Sequence, residues 1–215
     1  MATYESLIKI TGSVGDLVFY SLNGKNVVRK KSGFNKNAFK KDPSYEKVRQ
    51  NSSEFGHCSK AGKTIRSCIE TYTKESGDAL LYQKFAKLMT VIKDLDTVSD
   101  RGKRAVQKGM ITEAGIQLLK EFRFGEKENM WQNISIEKEH EKLIVNLNGH
   151  LAADELIIIT IEPDLERYSA AYAEEKVSLK QTEKILFKKH FSESTLLLYF
   201  GILKNKGEIT HMGFI

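Results

Sequence analysis

The spacing of apolar residues changes twice along the chain, and each change marks a different kind of structure. Residues 6–31, "SLIKITGSVGDLVFYSLNGKNVVRKK", hold short β-rich runs. Leu17-Val18-Phe19-Tyr20 and Val27-Val28 flank Asn23-Gly24, a dipeptide that tolerates the positive φ angles of a tight hairpin. Gly12 and Gly15 bracket a second turn, so the pattern predicts a meander of three strands: Leu7–Ile10, Leu17–Tyr20 and the return strand through Val28. Such a meander is too small to be stable alone and must pack on something. Residues 31–47, "KSGFNKNAFKKDPSYEK", show turn residues and charge with little periodicity, which reads as an extended arm or linker.

A helical period follows. Asp42 is a good N-cap and Pro43 suits the first helical position. Tyr45, Val48, Phe55, Ile65, Ile69 and Tyr72 are expected to share one face, helped by Cys58 and Ala61. Leu80, Leu81, Phe85, Leu88, Met89, Ile92 and Leu95 mark a second helix, separated from the first by Gly77. Ala105, Val106 and Met110 mark a third helical region, and Thr112 caps a last one with a stripe of Ile116, Leu119 and Phe122, ended by Gly125. From about residue 129 the period becomes two. Six segments, beginning at "NISIE" and ending at "TLLLYFGIL", read as strands of an antiparallel sandwich or Greek-key module, with the apolar run Leu156–Ile161 as a central strand. Trp131 is expected to anchor the start of that core. The fold class is therefore α+β: a β-hairpin and basic arm (1–41), a helical region (42–128) and a β-sandwich-like domain (129–215).

Charge adds one feature. The 215-residue chain carries a formal charge of +6, concentrated in residues 25–49, where nine Lys/Arg face two acids for +7. Residues 129–215 hold ten basic and thirteen acidic groups, for −3. This asymmetry fits contact with nucleic acid or another polyanion, attraction between copies of the chain, or a solvated lysine-rich face. Arg29, Lys30, Lys31, Phe34, Lys36, Phe39, Lys40 and Lys41 form the candidate contact set. Interleaved cations and rings suit a single strand, the cations for phosphates and the rings for stacking. They equally suit an arm whose Phe34 and Phe39 enter a neighbouring subunit while its lysines stay wet. No run of 18 apolar residues crosses a membrane, and the N-terminus lacks the layout of a secretory signal, so synthesis in the cytoplasm is expected.

Candidate chemistry is sparse. "EFGHCSKAGKTIRS" (54–67) ends like a phosphate-binding loop at Gly62-Lys63-Thr64, but His57 stands where the first glycine belongs and no strand precedes it. It reads as the middle of a helix. Gly12-Ser13-Val14-Gly15 has the form of a KH-domain loop but lies between strands. His57, His140, His150, His190 and His211 are scattered, without metal-ligand spacing. Cys58 and Cys68, ten residues apart on one helix and so about 15 Å along its axis, are too distant for a disulfide and read as buried or half-buried thiols. No nucleophile elbow is present, and the acidic pairs Asp94/Asp96 and Glu174/Glu175 read as surface charge. No catalytic residue, cofactor, metal or small-molecule substrate is expected.

Three stretches, "GSVGDLVFYSLNGKNVVRKK", "RQNSSEFGHCSKAGKTIR" and "LMTVIKDLDTVSDRGKRAV", together resemble a family of uncharacterised bacterial proteins of a type expected in phage or mobile-element gene sets. The resemblance covers residues 8–125, and the later strands match it in pattern, including an apolar strand followed by Glu162-Pro163-Asp164. It implies an opening G-x-x-G-[DK] hairpin, a helical middle and a strand-rich end, with no activity or catalytic residue to carry over. The expectation is a self-assembling structural protein, such as a subunit of a phage-like particle (capsid or virion), shell, tube or filament, forming homo-oligomers. A cytosolic nucleic-acid-binding accessory protein is the alternative.

Overall fold

The computed structural model describes residues 2–6, 8–31, 36–130, 132, 134–139, 142–147, 152–179, 184–192 and 196–215. It separates into two compact units, Met1–Glu46 and Lys47–Ile215.

The first unit is a four-stranded antiparallel sheet followed by a short helix. Strands β1 (Ala2–Thr3), β2 (Gly12–Val14), β3 (Leu17–Leu22) and β4 (Lys25–Lys30) lie in the order β1-β4-β3-β2. Asn23 and Gly24 form the β3–β4 turn with φ of 50° and 76°, the left-handed pair that matches the twist of a two-residue hairpin. The second turn falls one step later than expected. Val14 pairs with Leu17, so Gly15-Asp16 makes the turn and Gly12–Val14 is the partner strand; of the expected strand Leu7–Ile10, Leu7 lies outside the described residues and 8–10 are not in a strand. The expected three-stranded meander gains β1, which pairs Ala2 with Val28. The extended arm is also corrected: Lys36–Lys41 form helix α1, whose last turn closes with the Asp42 N–H on Ala38 O. Asp42 accepts from the Ser44 N–H at 2.8 Å and so caps a 3₁₀ turn, Pro43–Tyr45, that carries Pro43 in its first position.

The division falls at the first residue of α2 (Glu46–Ser67), which the second unit carries from Lys47 on, followed by α3 (Glu70–Glu75), α4 (Leu81–Asp94), α5 (Val106–Met110) and α6 (Glu113–Glu121). Thr112 caps α6 as expected, its Oγ1 accepting from the Gly115 N–H at 3.0 Å. On α2 the expected stripe is half right. Cys58, Ala61 and Ile65 are buried, as are Ile69 and Tyr72 beyond it, but Val48 and Phe55 are 50% and 63% exposed. The buried stripe starts instead at Glu54, with Gly62 facing Met89 and Phe85.

Among the described residues, seven antiparallel strands follow. They are β5 (Ile134–Lys138), β6 (Lys142–Leu147), β7 (Glu155–Asp164), β8 (Ser169–Ser178), β9 (Lys184–Lys188), β10 (Leu198–Asn205) and β11 (Glu208–Phe214). They form two sheets, in the orders β11-β10-β7-β8 and β5-β6-β9. Strand β7 explains its own sequence. Ile157, Ile159 and Ile161 join a buried cluster with α2, α4, α5 and α6, while Leu156 and Ile158 join a second cluster with Leu143, Val145, Ile185 and Phe187 of the other sheet. A strand covered on both faces must be apolar at nearly every position. The helices thus pack on one face of the four-stranded sheet and the three-stranded sheet on the other. Helices and strands of this unit share one core. Phe85, Phe122, Phe124, Phe200 and Phe214 form its aromatic centre, with Phe124 edge-on to Phe200 at 5.0 Å. Trp131 lies outside the described residues.

Candidate functional site

The sequence-selected cations fall on two elements of the first unit. Arg29 and Lys30 end β4, opposite Val18 and Leu17. Adjacent strand residues point to opposite faces, so these two do not share a surface. Lys31 donates its backbone N–H to Asp16 O, which holds it at the mouth of the β2–β3 turn. Lys36, Lys40 and Lys41 are exposed on α1, and Lys36 and Lys40 are one turn apart on one side of it. Phe39 is half-buried and lies edge-on to Tyr45, 5.9 Å between centroids. Phe34 lies outside the described residues. The set is therefore two cationic groups, one on a strand end and one on a helix.

The second unit holds a polar constellation that an apolar-periodicity search does not find. Glu54, 3% exposed, points inward from α2. Its Oε1 accepts from the Gly102 N–H (2.6 Å) and Arg104 Nε (2.9 Å). Its Oε2 accepts from Lys93 Nζ (2.8 Å) and Arg104 Nη2 (2.7 Å). Lys93, also buried, and Arg104 both reach Asp94 as well, at 2.5 and 2.8 Å. Asp96 organises the next loop: Oδ1 accepts from the N–H groups of Val98 and Ser99, and Oδ2 from that of Ala105. Together these groups tie α2 and α4 to the loop 97–105.

Electrostatics follow from the geometry. The Arg104 guanidinium, assisted by Lys93 and Gly102, holds the Glu54 carboxyl far below the usual carboxylate range despite burial. Burial opposes ionisation of Asp96, yet the donors of Ala105, Ser99 and Val98 lower it to about 2. The Lys93 ammonium is raised: burial works against it, but hydrogen bonds to Asp94 and Glu54 win. Glu54, Asp96, Lys93 and Arg104 are each held in the ionised form, so these groups fix position rather than exchange protons near neutral pH.

His57 lies one turn further along α2. Its Nε2 accepts from the Val106 N–H at 3.0 Å, which places the ring proton on Nδ1, donated to Tyr168 Oη at 3.0 Å. Lys60 lies 4.9 Å from the centroid of the same tyrosine ring. Burial, then Lys60, lowers the His57 pKa and keeps the ring neutral. Tyr168 itself sits at φ 56°, in the left-handed region, and its contacts to α2 hold that turn in place.

Gly62-Lys63-Thr64 lies inside α2, with the place of a Gly62 Cβ 3.2 Å from Met89 Cγ; no phosphate loop exists there. Cys58 and Cys68 are buried free thiols, and burial raises both pKa values. Among the described residues, no group of three His, Cys, Asp or Glu side chains is arranged to hold a metal ion, and no helix is long and apolar enough to cross a membrane. No protein-family model matches the chain, and no curated protein sequence matches it.

Proposed function

We propose that the chain is a non-enzymatic structural protein that assembles with copies of itself, as the subunit of a phage-like particle (capsid), shell, tube or filament. The N-terminal sheet and its basic segment contact a neighbouring subunit or packaged nucleic acid. One observation carries this reading. Within Met1–Glu46, Val27 is the one buried apolar side chain among the described residues, while Ile8, Val14 and Leu17 are 72%, 65% and 43% exposed. A sheet of two- to six-residue strands with so small a core gains its order from what covers it. Full coverage of each such side chain contributes about 1.5–3 kcal/mol, a driving force that a second copy supplies. The fixed charges of the Glu54 cluster agree with a role in shape rather than in catalysis.

The experiment is sedimentation velocity of the wild-type chain and of Val14→Lys/Leu17→Lys over a concentration series. The wild type is expected to form large species, and the variant to remain near the 24.4 kDa subunit. A wild-type monomer at every concentration, in low and high salt, rejects assembly.

The excess of nine basic over two acidic residues in 25–49 favours a second reading, a cytosolic nucleic-acid-binding accessory protein. It requires salt-sensitive binding that Arg29→Ala/Lys30→Ala/Lys31→Ala removes; unchanged affinity rejects it.

A further inference from the structure

A cationic cleft lies at one end of the three-stranded sheet, far along the chain from the basic N-terminal segment. In the β6–β9 ladder, Lys142 stands directly opposite Lys188. Directly opposed residues share a face with their Cβ atoms about 5 Å apart, and like charges there repel. The adjoining pair, Leu143 and Phe187, faces the core, so the two lysines face outward. Neither side chain has a carboxylate partner among the described residues. Both line a cleft of about 650 Å3, continued by Lys189 and His190. Four cation-capable groups thus converge in a region whose net charge is −3.

Among the described residues the one acid in the lining, Glu175, is already engaged. Glu175 of β8, a strand of the other sheet, takes the Lys188 N–H at 3.0 Å and His190 Nε2 at 2.7 Å on the same oxygen. It thereby orients the imidazole at the rim and leaves Lys142 and Lys188 for a ligand. The lining is also partly apolar: Leu186 is 56% exposed, and Phe191 is half-buried beside His190, 6.5 Å between ring centroids. Two free ammonium groups next to exposed apolar and aromatic surface match a ligand with phosphate at one end and a flat ring at the other. The volume lies within the range of about 300–1,000 Å3 typical of small-ligand sites.

We propose that this cleft binds a nucleotide unit, with Lys142 and Lys188 on the phosphate and the Leu186–Phe191 surface against the base. The unit is supplied either as a free nucleotide or as part of a single strand. A local rule of sheet pairing is broken here, and the ligand's anion resolves the repulsion. Neither assembly nor the 25–49 segment is needed for this reading.

The test uses the full-length chain carrying Arg29→Ala/Lys30→Ala/Lys31→Ala, so that N-terminal binding cannot mask the cleft. Three probes are titrated: adenosine monophosphate, a labelled single-stranded oligothymidylate, and inorganic phosphate. The comparison is Lys142→Gln/Lys188→Gln against the charge-matched control Lys63→Gln/Lys87→Gln, two exposed lysines elsewhere. The cleft variant is expected to bind nucleotide or strand at least about tenfold more weakly than the control. For the strand, its salt slope should flatten by about 1.4, from two contacts at about 0.7 each. Tighter binding of the oligonucleotide assigns a strand, and equal binding assigns a free nucleotide. Loss in the cleft variant no greater than in the control, no measurable binding of either nucleotide probe, or phosphate alone binding as tightly as the nucleotide overturns the proposal. Circular dichroism of both variants that matches the parent chain establishes that both are folded.

Discussion

Removing the Glu54 carboxylate tests the reading of the buried ionic cluster. Its four donors are Lys93, Gly102 and two nitrogens of Arg104. In Glu54→Ala, the Lys93 ammonium, with a side chain 5% exposed, retains only Asp94, which is itself half exposed. Breaking a buried pair by deleting one partner costs about 3–5 kcal/mol, because the surviving charge stays desolvated. For a unit of this size each kcal/mol moves Tm by about 2–4 °C, so Tm should fall by roughly 6–20 °C. Glu54→Gln keeps an acceptor oxygen and should lose less, about 2–3 kcal/mol, in line with hydrogen bonds to charged groups. Urea denaturation followed by circular dichroism measures both. Coupling should be strong: Glu54→Met/Lys93→Met, which removes both charges, should be more stable than Glu54→Ala alone. A Glu54→Ala variant within about 0.5 kcal/mol of wild type, the range of ordinary surface changes, would refute the reasoning.

Three further outcomes follow from the same structure. Asp96 has a folded pKa near 2, below its ordinary value of 3.8; its contribution, on the order of 2 kcal/mol, is present above pH 4 and lost as pH falls towards 2. Asp96→Asn should therefore flatten the acid limb of a stability–pH curve, and an unchanged limb contradicts the assignment. Gly109→Ala would place its Cβ 1.8 Å from the Ile92 carbonyl oxygen, so α4 and α5 must separate, at about 1–3 kcal/mol or more by thermal denaturation; an unchanged Tm would show that the helices do not approach so closely. Phe55→Lys, at a position 63% exposed, should shift stability by less than about 0.5 kcal/mol, whereas a core residue would cost several times that.

Local signals in the sequence were legible where the physics is local. Asn23-Gly24 specifies its hairpin through backbone sterics alone, and Thr112 specifies a helix start through one side-chain hydrogen bond. The continuous apolar run of β7 reports coverage on both faces. Strand β2 was misplaced because three residues cannot show alternation, and Gly12, at φ 113°, opens a strand rather than a turn. Strand β11 went unread because His211 and Gly213 interrupt its apolar pattern and its turn is Lys206-Gly207 rather than Asn-Gly. Helix α1 is too short, at six residues, to display a stripe.

The largest miss is Glu54. A charged residue counts against a buried position unless its partners are known, and Lys93, Gly102 and Arg104 lie 39 to 50 residues away. The apolar period therefore points to Phe55 in place of its buried neighbour. The cleft at Lys142 and Lys188 was hidden for the same reason: 46 positions separate two lysines that the register places side by side. Of the basic set, the residues were visible but their division between a strand end and a helix was not, since charge carries no period.

Static light scattering on the purified chain, with negative-stain imaging of the same sample, tests self-assembly most directly. The account predicts a mass many times 24.4 kDa that grows with concentration, together with regular particles or filaments. A constant mass of one subunit across the concentration range, at low and high salt, would contradict it.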